Sequence, residues 1–306
     1  MSPASHILNA AIVALVTSAG AVADELHADP PNQCEACAGW NQSRAPFRIW
    51  GDTYFVGTQG LSSVLITAAQ GHILIDGGLP QSAPLIAANI ETLGFKLSDV
   101  KLILNSHTHY DHAGGIAALQ RASAAGVAAS PKARQALERG GPTEDDPQFD
   151  FGPEHNDYGA VRNVRAIRDG EVLKVGALAV TAHFTPGHTP GGTSWTWRSC
   201  DGEDCLGIAY LDSLFPVSAP GFRFSGDRQH ASRVKIFRRS IERVAALDCD
   251  IGISAHPDLV DLDESLAAAR RAGEDHLPRQ PGICREYAEG ARRRLDQRLT
   301  EEAATP

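Results

Sequence analysis

The sequence predicts an α/β fold of four layers, in which two mixed β-sheets pack face to face and helices cover both outer surfaces. Along the 306 residues, segments with strand character precede segments with helix character, and this succession occurs twice. No linker separates the two halves, so residues 24–306 are expected to form a single domain.

Elements of the first half follow from the spacing of apolar residues between Gly and polar turns. Strands are predicted at 47–56, 63–67, 72–76, 100–104 and 127–130, and helices at 82–94, 116–122 and 131–139. Ser82 is expected to be the N-cap of its helix. Residues 140–158 show little periodicity and are predicted to form a long loop, and loops of this length are usually functional or disordered.

The second half is expected to repeat this arrangement without repeating the residues. Strands are predicted at 171–174, 179–184, 193–198, 207–211 and 251–255, and helices at 234–247 and 285–298. Apolar residues mark one face of the 234–247 segment, so this helix is expected to pack on a sheet.

The overall charge argues for a small-molecule partner. The chain is 42% apolar and 21% charged, as is usual for a soluble globular protein. Its formal net charge is −9 and its pI is near 5.7. Nucleic acids and anionic membranes favour Lys/Arg patches, so neither is expected as a partner. No long heptad or repeat indicates an interface, and a monomer is expected.

The N-terminus contains an apolar run from Ile7 to Val22 that ends in small residues before Asp24. This pattern is typical of a signal peptide cleaved near Ala23, although no Lys or Arg precedes the run, and the alternative is an apolar tail that is not exported. The run is too short and too rich in Ala for a membrane span. Residues 1–23 are therefore predicted to be a signal peptide, and the mature protein is expected to be periplasmic or secreted.

Cysteine usage agrees with export, because disulfides persist in oxidising compartments. Cys200 and Cys205 flank a short polar turn that a disulfide would staple across a hairpin. A second disulfide is predicted between Cys249 and Cys284, where it would tie the last predicted strand to the C-terminal helix. The C-x-x-C at 34–37 is compatible with a tight disulfide, a redox pair or two free thiols.

Three histidines and an aspartate directly follow the predicted strand at 100–104. On an extended backbone His107 and His109 point to the same side, because side chains alternate with period two. Asp111 and His112 are consecutive and therefore diverge. This pattern fits two adjacent metal ions better than one. The alternative is a polar loop with chance histidines, which the scarcity of histidine disfavours, at 12 of 306 residues.

Two further histidines also lie at predicted strand ends. His188 is in a turn rich in Gly and Pro, and His256 ends an apolar strand before a proline. Either histidine alone is more often a core or surface residue than a ligand. Together with the first cluster, they complete three ligands for each of two metal sites.

The chain resembles the metallo-β-lactamase superfamily in three motifs: His-Thr-His-Tyr-Asp-His at 107–112, Thr-Pro-Gly-His-Thr-Pro-Gly-Gly at 185–192 and Ala-His-Pro at 255–257. The narrower resemblance, to the third subclass of the class B β-lactamases, rests on the segments 57–60, 146–149, 194–200 and 210–214. Other zinc-dependent subclasses place a cysteine among the ligands of the second site, whereas all six cysteines fall elsewhere here. The resemblance implies the metallo-β-lactamase fold.

The resemblance also implies that each chain binds two Zn²⁺ ions. The implied ligands of the first ion are His107, His109 and His188, and those of the second are Asp111, His112 and His256. The implied activity is hydrolysis of the β-lactam amide of penicillins, cephalosporins and carbapenems, which confers antibiotic resistance. Zinc lowers the pKa of bound water from about 15.7 to about 7, so a metal-bound hydroxide is expected to attack and Asp111 is expected to orient it.

Several residues are candidates for contacting the substrate. Ser213 matches the family position that contacts the substrate carboxylate. Two residues on, where relatives often carry Ser or Thr, Phe215 loses a hydroxyl donor, and its ring lies at the pocket edge or turns into the core. Ser218 is a candidate to compensate, and the alternative is weaker recognition of the carboxylate. Gln148 of the long loop is expected to touch the ligand, and Trp40 is expected either to cover the site or to be a buried structural residue.

Two alternative functions are considered. Lactonases and thioesterases of the same superfamily bridge their metals with an Asp near Gly-Asp-Thr-Leu-Phe, and the segment beginning at Asp212 is similar. An Asp212 carboxylate that reached both metals would favour this alternative. The other is an exported zinc-binding protein without turnover. A complete set of six ligands argues against it, since pure binding does not require an open coordination position.

Overall fold

The structure, a computed structural model, describes residues 26–228 and 230–304. The predicted signal peptide at residues 1–23 lies outside the described residues. Among the described helices, none is both long enough and apolar enough to cross a membrane.

The first sheet contains seven strands that lie side by side in chain order. These strands are β1 (Phe47–Trp50), β2 (Thr53–Phe55), β3 (Val64–Ile66), β4 (His72–Ile75), β5 (Val100–Leu104), β6 (Gly126–Ala129) and β7 (Val164–Ala166). Strands β1 to β4 pair antiparallel, and strands β4 to β7 pair parallel. The parallel half therefore directs the carboxyl ends of β4, β5 and β6 to one edge of the sheet.

The second sheet contains five strands, ordered β12-β11-β10-β9-β8. These strands are β8 (Val172–Val175), β9 (Leu178–Phe184), β10 (Thr193–Asp201), β11 (Asp204–Leu211) and β12 (Ile251–Ser254). Strands β11 and β12 pair parallel, and the other neighbours pair antiparallel.

The described residues also form helices, the longer of which cover the outer faces of the two sheets. The α-helices are α1 (Cys37–Trp40), α2 (Ala83–Thr92), α3 (Tyr110–Ala113), α4 (Ile116–Ser123), α5 (Pro131–Arg139), α6 (Pro153–Asn156), α7 (Val234–Ala245), α8 (Leu262–Arg271) and α9 (Ile283–Ala304). Short 3-10 helices lie at Pro80–Ser82, Leu97–Asp99, Phe149–Phe151 and Pro257–Val260.

Alternation along β3 explains how one sheet borders two cores. Val64 and Ile66 belong to the core between the sheets, together with Trp195 and Tyr210 of the second sheet. Leu65 belongs instead to the core beneath α2 and α4, because successive side chains of a strand point to opposite faces. Helices α7 and α9 contact each other on the far side of the second sheet. The predicted four-layer sandwich is therefore confirmed.

The predicted single strand at 47–56 is wrong, because the chain forms two strands separated by a turn. Gly51 lies in this turn with a φ of +51°, a left-handed conformation that favours glycine. A side chain at this position would also collide with the backbone carbonyl of Cys200 on β10. The turn thus brings the β1–β2 hairpin against the second sheet.

Ser82 precedes α2 as predicted, but it does not cap the helix with its side chain. Its hydroxyl accepts a hydrogen bond from the Leu79 amide at 3.1 Å and donates one to Asn41 Oδ1 at 2.6 Å. The hydroxyl is drawn away because Ser82 ends a 3-10 helix that runs directly into α2.

Strand β7 and helix α8 are among the described elements that were not predicted from the sequence. Strand β7 has three residues, of which only Val164 is buried, so its apolar pattern is too short to recognise. Helix α8 buries Leu262, Leu266 and Ala269, which recur at helical spacing and would have predicted it. The predicted loop at 140–158 is mostly irregular, but it includes the short helix α6.

Asp76, at the end of β4, is a buried carboxylate that joins the two sheets. Its Oδ1 accepts hydrogen bonds from Asn105 Nδ2 at 3.0 Å and the Ser106 amide at 2.7 Å. Its Oδ2 accepts from Ser106 Oγ at 2.5 Å and from the hydroxyl of Tyr210 on β11 at 2.9 Å. The chain that follows β5 is therefore held to both β4 and the second sheet.

We expect Asp76→Asn to lower the free energy of unfolding of the metal-free protein by about 3 kcal/mol, because the new amide group turns a donor towards buried donors. Denaturant unfolding measures this change. The control Tyr210→Phe removes one donor and leaves the other three, so we expect a loss of about 1 kcal/mol. Equal losses in the two variants would contradict this role of Asp76.

Candidate metal centre

The centre lies where the two sheets meet at their carboxyl edges. The turn after β5 carries His107 and His109, and α3 carries Asp111 and His112. His188 lies in the loop between β9 and β10, and His256 follows β12. All six predicted ligands are brought together, four from the first half of the fold and two from the second.

His107, His109 and His188 form one compact group. One side-chain nitrogen of each lies within 4.8 Å of those of the other two. Their ring centroids are 5.0 Å apart for His107 and His109, 4.8 Å for His107 and His188, and 4.7 Å for His109 and His188. Three imidazole nitrogens that converge in this way are a donor set that zinc prefers.

Each histidine of this group has one ring nitrogen held on the side away from the cluster. His107 Nδ1 lies 2.9 Å from a carboxylate oxygen of Asp212. His109 Nε2 is 3.0 Å from Asp146 Oδ1. His188 Nδ1 donates to the carbonyl of Phe215 at 2.6 Å. Metal-binding histidines usually hold their second nitrogen to a carboxylate or carbonyl in this manner, which fixes the ring and its tautomer.

The remaining ring nitrogens are therefore available to a metal. His107 Nε2 is buried, and among the described residues it has no hydrogen-bond partner. His109 Nδ1 and His188 Nε2 are the corresponding free atoms of the other two rings. A buried nitrogen without a partner costs free energy, which a bound cation would relieve.

Asp111, His112 and His256 form the second group. His112 Nε2 is 3.1 Å from His256 Nε2 and 3.3 Å from Asp111 Oδ2, and His256 Nε2 is 3.4 Å from that same oxygen. A tetrahedral zinc with bonds of about 2.0–2.1 Å separates its ligand atoms by about 3.3–3.4 Å. The three atoms thus have nearly the spacing that a zinc ion requires.

The electrostatics favour ligand-competent protonation states at His107, His188 and Asp111, whereas the carboxylates of Asp146 and Asp111 outweigh burial and raise the pKa of His109 and His256. Burial, with the neighbouring imidazoles, holds the pKa of His107 and His188 well below the usual value, so both rings are neutral at pH 7. Burial alone would raise the pKa of the Asp111 carboxyl, but His112 and His256 outweigh it and hold that pKa well below its usual range. Asp111 is therefore ionised.

A cavity of about 240 Å³ opens over both groups. Its walls include the four predicted substrate residues, Trp40, Gln148, Ser213 and Phe215. The Trp40 ring centroid is 5.3 Å from that of His256, so Trp40 lies over the second group. Phe215 is 42% exposed and does not turn into the core.

Ser213 and Ser218 differ in what they offer to this cavity. Ser213 is 1% exposed, borders the cavity, and its hydroxyl has no hydrogen-bond partner among the described residues. Ser218 instead accepts a hydrogen bond from Arg298 Nη2 at 2.7 Å and is not part of the cavity wall. The suggestion that Ser218 compensates for Phe215 is therefore wrong.

Comparisons with known proteins agree with this geometry. A sequence model described as "Metallo-beta-lactamase superfamily" matches residues 56–198. The Rm3 metallo-beta-lactamase, whose structure is solved, is 52% identical in sequence to this chain. The alignment covers 89% of this chain and 99% of the Rm3 chain, with a TM-score of 0.85. The chain belongs to the metallo-β-lactamase superfamily.

Two further relatives are a metallo-β-lactamase and a hydroxyacylglutathione hydrolase. MEM-A1, a subclass B3 metallo-beta-lactamase isolated from a soil metagenome library, is 50% identical, with a TM-score of 0.83, covering 87% of this chain and all of that one. The resemblance to the third subclass is thus confirmed. A hydroxyacylglutathione hydrolase of Methylobacterium nodulans is 26% identical over 227 residues, which are 74% of each chain. The relatives named are hydrolases, as predicted.

Disulfides support the frame of this metallo-β-lactamase domain. Both predicted bonds, Cys200–Cys205 and Cys249–Cys284, are present. The first joins β10 to β11 across their hairpin, and the second joins the segment before β12 to α9. Cys34 and Cys37, whose state the sequence left open, also form a disulfide, close to Trp40.

Asp146 is the site residue that sequence reasoning missed. It is 3% exposed, and its Oδ1 both holds His109 and accepts a hydrogen bond from the Gln148 amide at 2.8 Å. Asp146 therefore holds both His109, a candidate metal ligand, and Gln148, a residue of the cavity wall. The available signal was weak, because Asp146 is the last of three consecutive acidic residues in a loop that was predicted to be functional or disordered.

We expect Asp146→Asn to weaken zinc binding by about tenfold, because loss of the charge reduces the basicity of the His109 ring. Competition with a chromophoric chelator measures the zinc dissociation constant. Asp145→Asn is the matched control, since Asp145 pairs with Lys132 at 2.9 Å and not with a histidine. Unchanged affinity in Asp146→Asn, or an equal loss in both variants, would contradict this role.

Proposed function

We propose that this protein uses two zinc ions to hydrolyse the β-lactam amide of penicillins, cephalosporins and carbapenems, and so confers antibiotic resistance. The observation that carries the proposal is the pair of adjacent three-residue groups, one of His107, His109 and His188 and the other of Asp111, His112 and His256. Both open into one cavity with Ser213 on its wall. Relatives at 50% identity or more that are named metallo-beta-lactamases support the substrate class.

The first zinc would be held by His107, His109 and His188, and the second by Asp111, His112 and His256. The chemistry that zinc would supply at these ligands is polarisation of a carbonyl oxygen and a pKa of bound water lowered to about 7. The rigid backing of each ring by Asp212, Asp146 or the Phe215 carbonyl keeps the donor atoms in place before any ion binds.

The chain's own groups then position the reactants. The ionised Asp111 carboxylate borders the cavity, where it accepts a hydrogen bond from water and orients it. The Ser213 hydroxyl has no partner within the described protein, so it is free to donate to the substrate carboxylate. Trp40, Gln148 and Phe215 enclose the substrate and exclude bulk water.

The principal alternative is a thioesterase or lactonase of the same superfamily, which the hydroxyacylglutathione hydrolase relatives favour. That alternative needs an Asp212 carboxylate shared by both metals. Asp212 Oδ1 instead lies beside His107 Nδ1, on the far side of the ring from its free nitrogen, and Oδ2 accepts from Thr185 Oγ1 at 3.2 Å. This placement favours the lactamase proposal over the alternative.

The proposed setting of this activity is the periplasm or the exterior of the cell, after cleavage near Ala23. Three disulfides support an oxidising compartment. We also propose that the protein acts as a monomer on a small-molecule substrate.

We expect purified, zinc-loaded protein to open a penicillin, a cephalosporin and a carbapenem, seen as loss of ultraviolet absorbance. Chelation should abolish turnover and added zinc should restore it, because each activated group depends on the metal. A lactone and an acyl thioester are assayed alongside.

Rapid hydrolysis of the lactone or thioester with no opening of any β-lactam would replace the proposed function with the alternative. No turnover of any substrate by folded protein carrying zinc would favour a binding protein instead.

A further inference from the structure

The wall of the metal cavity contains an aromatic ring that rests on an arginine. Phe215 borders the cavity, and the guanidinium carbon of Arg294 lies 5.3 Å from its ring centroid. The ring therefore separates a positive charge from the space in which the substrate binds.

Arg294 is an arginine of α9 whose guanidinium is partly buried. Its Nε and Nη2 atoms are buried, and neither makes a hydrogen bond to any described residue. Arg298, one turn later, donates instead to Ser218 Oγ, the Phe222 carbonyl and Glu302. Buried guanidinium donors are nearly always paired, so the arrangement around Arg294 is one that an incoming anion would complete.

The charges around Arg294 leave it uncompensated. Burial lowers the pKa of its guanidinium, Tyr287 and Asp258 oppose this effect, and Arg293 adds to it. Asp258 is exposed and makes no ion pair with Arg294 among the described residues. Within the described part of the chain, no buried carboxylate pairs with this guanidinium.

Helix α9 fixes Arg294 relative to the substrate residues. Tyr287, two turns earlier on the same face, donates to the Asp212 carbonyl at 2.7 Å and accepts from the Leu214 amide at 3.1 Å. These bonds hold the segment that contains Ser213 and Phe215 against the helix. Arg294 is thus placed by the same contacts that place the cavity wall.

A second cavity, of about 380 Å³, adjoins the metal cavity at Leu259, which borders both. Its lining includes Arg293 and Arg294 and the exposed carboxylates of Asp261, Glu286 and Glu289. Because Phe215 is 42% exposed, core packing does not prevent its ring from moving aside. A carboxylate in the metal cavity would then approach the forked donors of the guanidinium.

We propose that Arg294 is a specificity-determining residue of the metal cavity, where its unpaired guanidinium selects ligands that carry a carboxylate. It supplies the second carboxylate partner beside Ser213, in place of the hydroxyl that Phe215 lacks. The proposal rests on the proposed function for the identity of the substrate, because bicyclic β-lactams carry a carboxylate next to the ring nitrogen. The selection itself depends only on the charge of the ligand.

The test measures binding and not turnover. Calorimetry on the zinc-loaded full chain compares 3-mercaptopropanoate with its neutral amide, since both offer a thiol to the metals and they differ in charge. The variants are Arg294→Met, Arg294→Lys and the matched control Arg293→Met, which lines the same second cavity but is exposed and does not contact Phe215. Zinc content and melting temperature are measured for each.

We expect Arg294→Met to bind the acid about tenfold more weakly, equivalent to about 1.4 kcal/mol, while its affinity for the amide stays within twofold. Arg294→Lys should recover part of the preference, and Arg293→Met should keep all of it. The melting temperature of Arg294→Met should be unchanged or higher, because the substitution removes buried donors that lack partners.

Equal effects of Arg294→Met on the acid and the amide, or no effect on either, would overturn the proposal. Wild-type protein that binds the acid no better than the amide would overturn it as well, whether or not β-lactams are opened. Wild-type protein that prefers the acid through Arg294 but opens no β-lactam would contradict the proposed function alone.

Discussion

The structure depends on one buried carboxylate beneath the metal centre. Asp76 accepts hydrogen bonds from the turn after β5 and from Tyr210 on the second sheet, so this group joins the two halves of the sandwich where the ligands converge. It acts together with the bond from Trp195 Nε1 to the Asn105 carbonyl at 3.2 Å, which also holds this turn to the second sheet. Burial of such a group is costly, and its four donors are what make it tolerable.

The rings of His107, His109 and His188 are oriented by groups that lie on the side of each ring away from the cluster. Asp212 and Asp146 back two rings, and the carbonyl of Phe215 backs a third. Asp212 and Phe215 lie on one segment, which Tyr287 links to α9, and Asp146 lies on another, which contributes Gln148 to the wall of the cavity. The proposed metal site and the proposed substrate site are therefore built from the same loops, and a change in one would affect the other.

Much of this arrangement could be predicted from the sequence, because it follows from local patterns. Strand β5 and helix α5 have the predicted limits, and the spacing of His107, His109, Asp111 and His112 predicted two neighbouring groups. The assignment of His188 to one group and of His256 to the other relied on family resemblance, since nothing local to a lone histidine indicates its partners.

The supporting groups could not be predicted in the same way. Asp146 is 37 residues from His109, and Asp76 is 134 residues from Tyr210, so only the fold reveals that they meet. In the sequence, Arg294 is one of several arginines in a charged helix, and only the fold reveals its contact with the ring of Phe215. Two predictions were wrong for local reasons. The strand at 47–56 is interrupted by the left-handed turn at Gly51, and the Ser82 hydroxyl does not cap its helix because it donates to Asn41.

The central claim is that two zinc ions bind to the two ligand groups, and that the Asp212 carboxylate contacts His107 Nδ1 and neither ion. Diffraction from crystals of the zinc-loaded protein, recorded on both sides of the zinc absorption edge, tests it most directly. The account predicts two anomalous peaks, one bonded to His107 Nε2, His109 Nδ1 and His188 Nε2, and the other bonded to Asp111, His112 and His256. A single peak, or an Asp212 oxygen bonded to both ions, would contradict it.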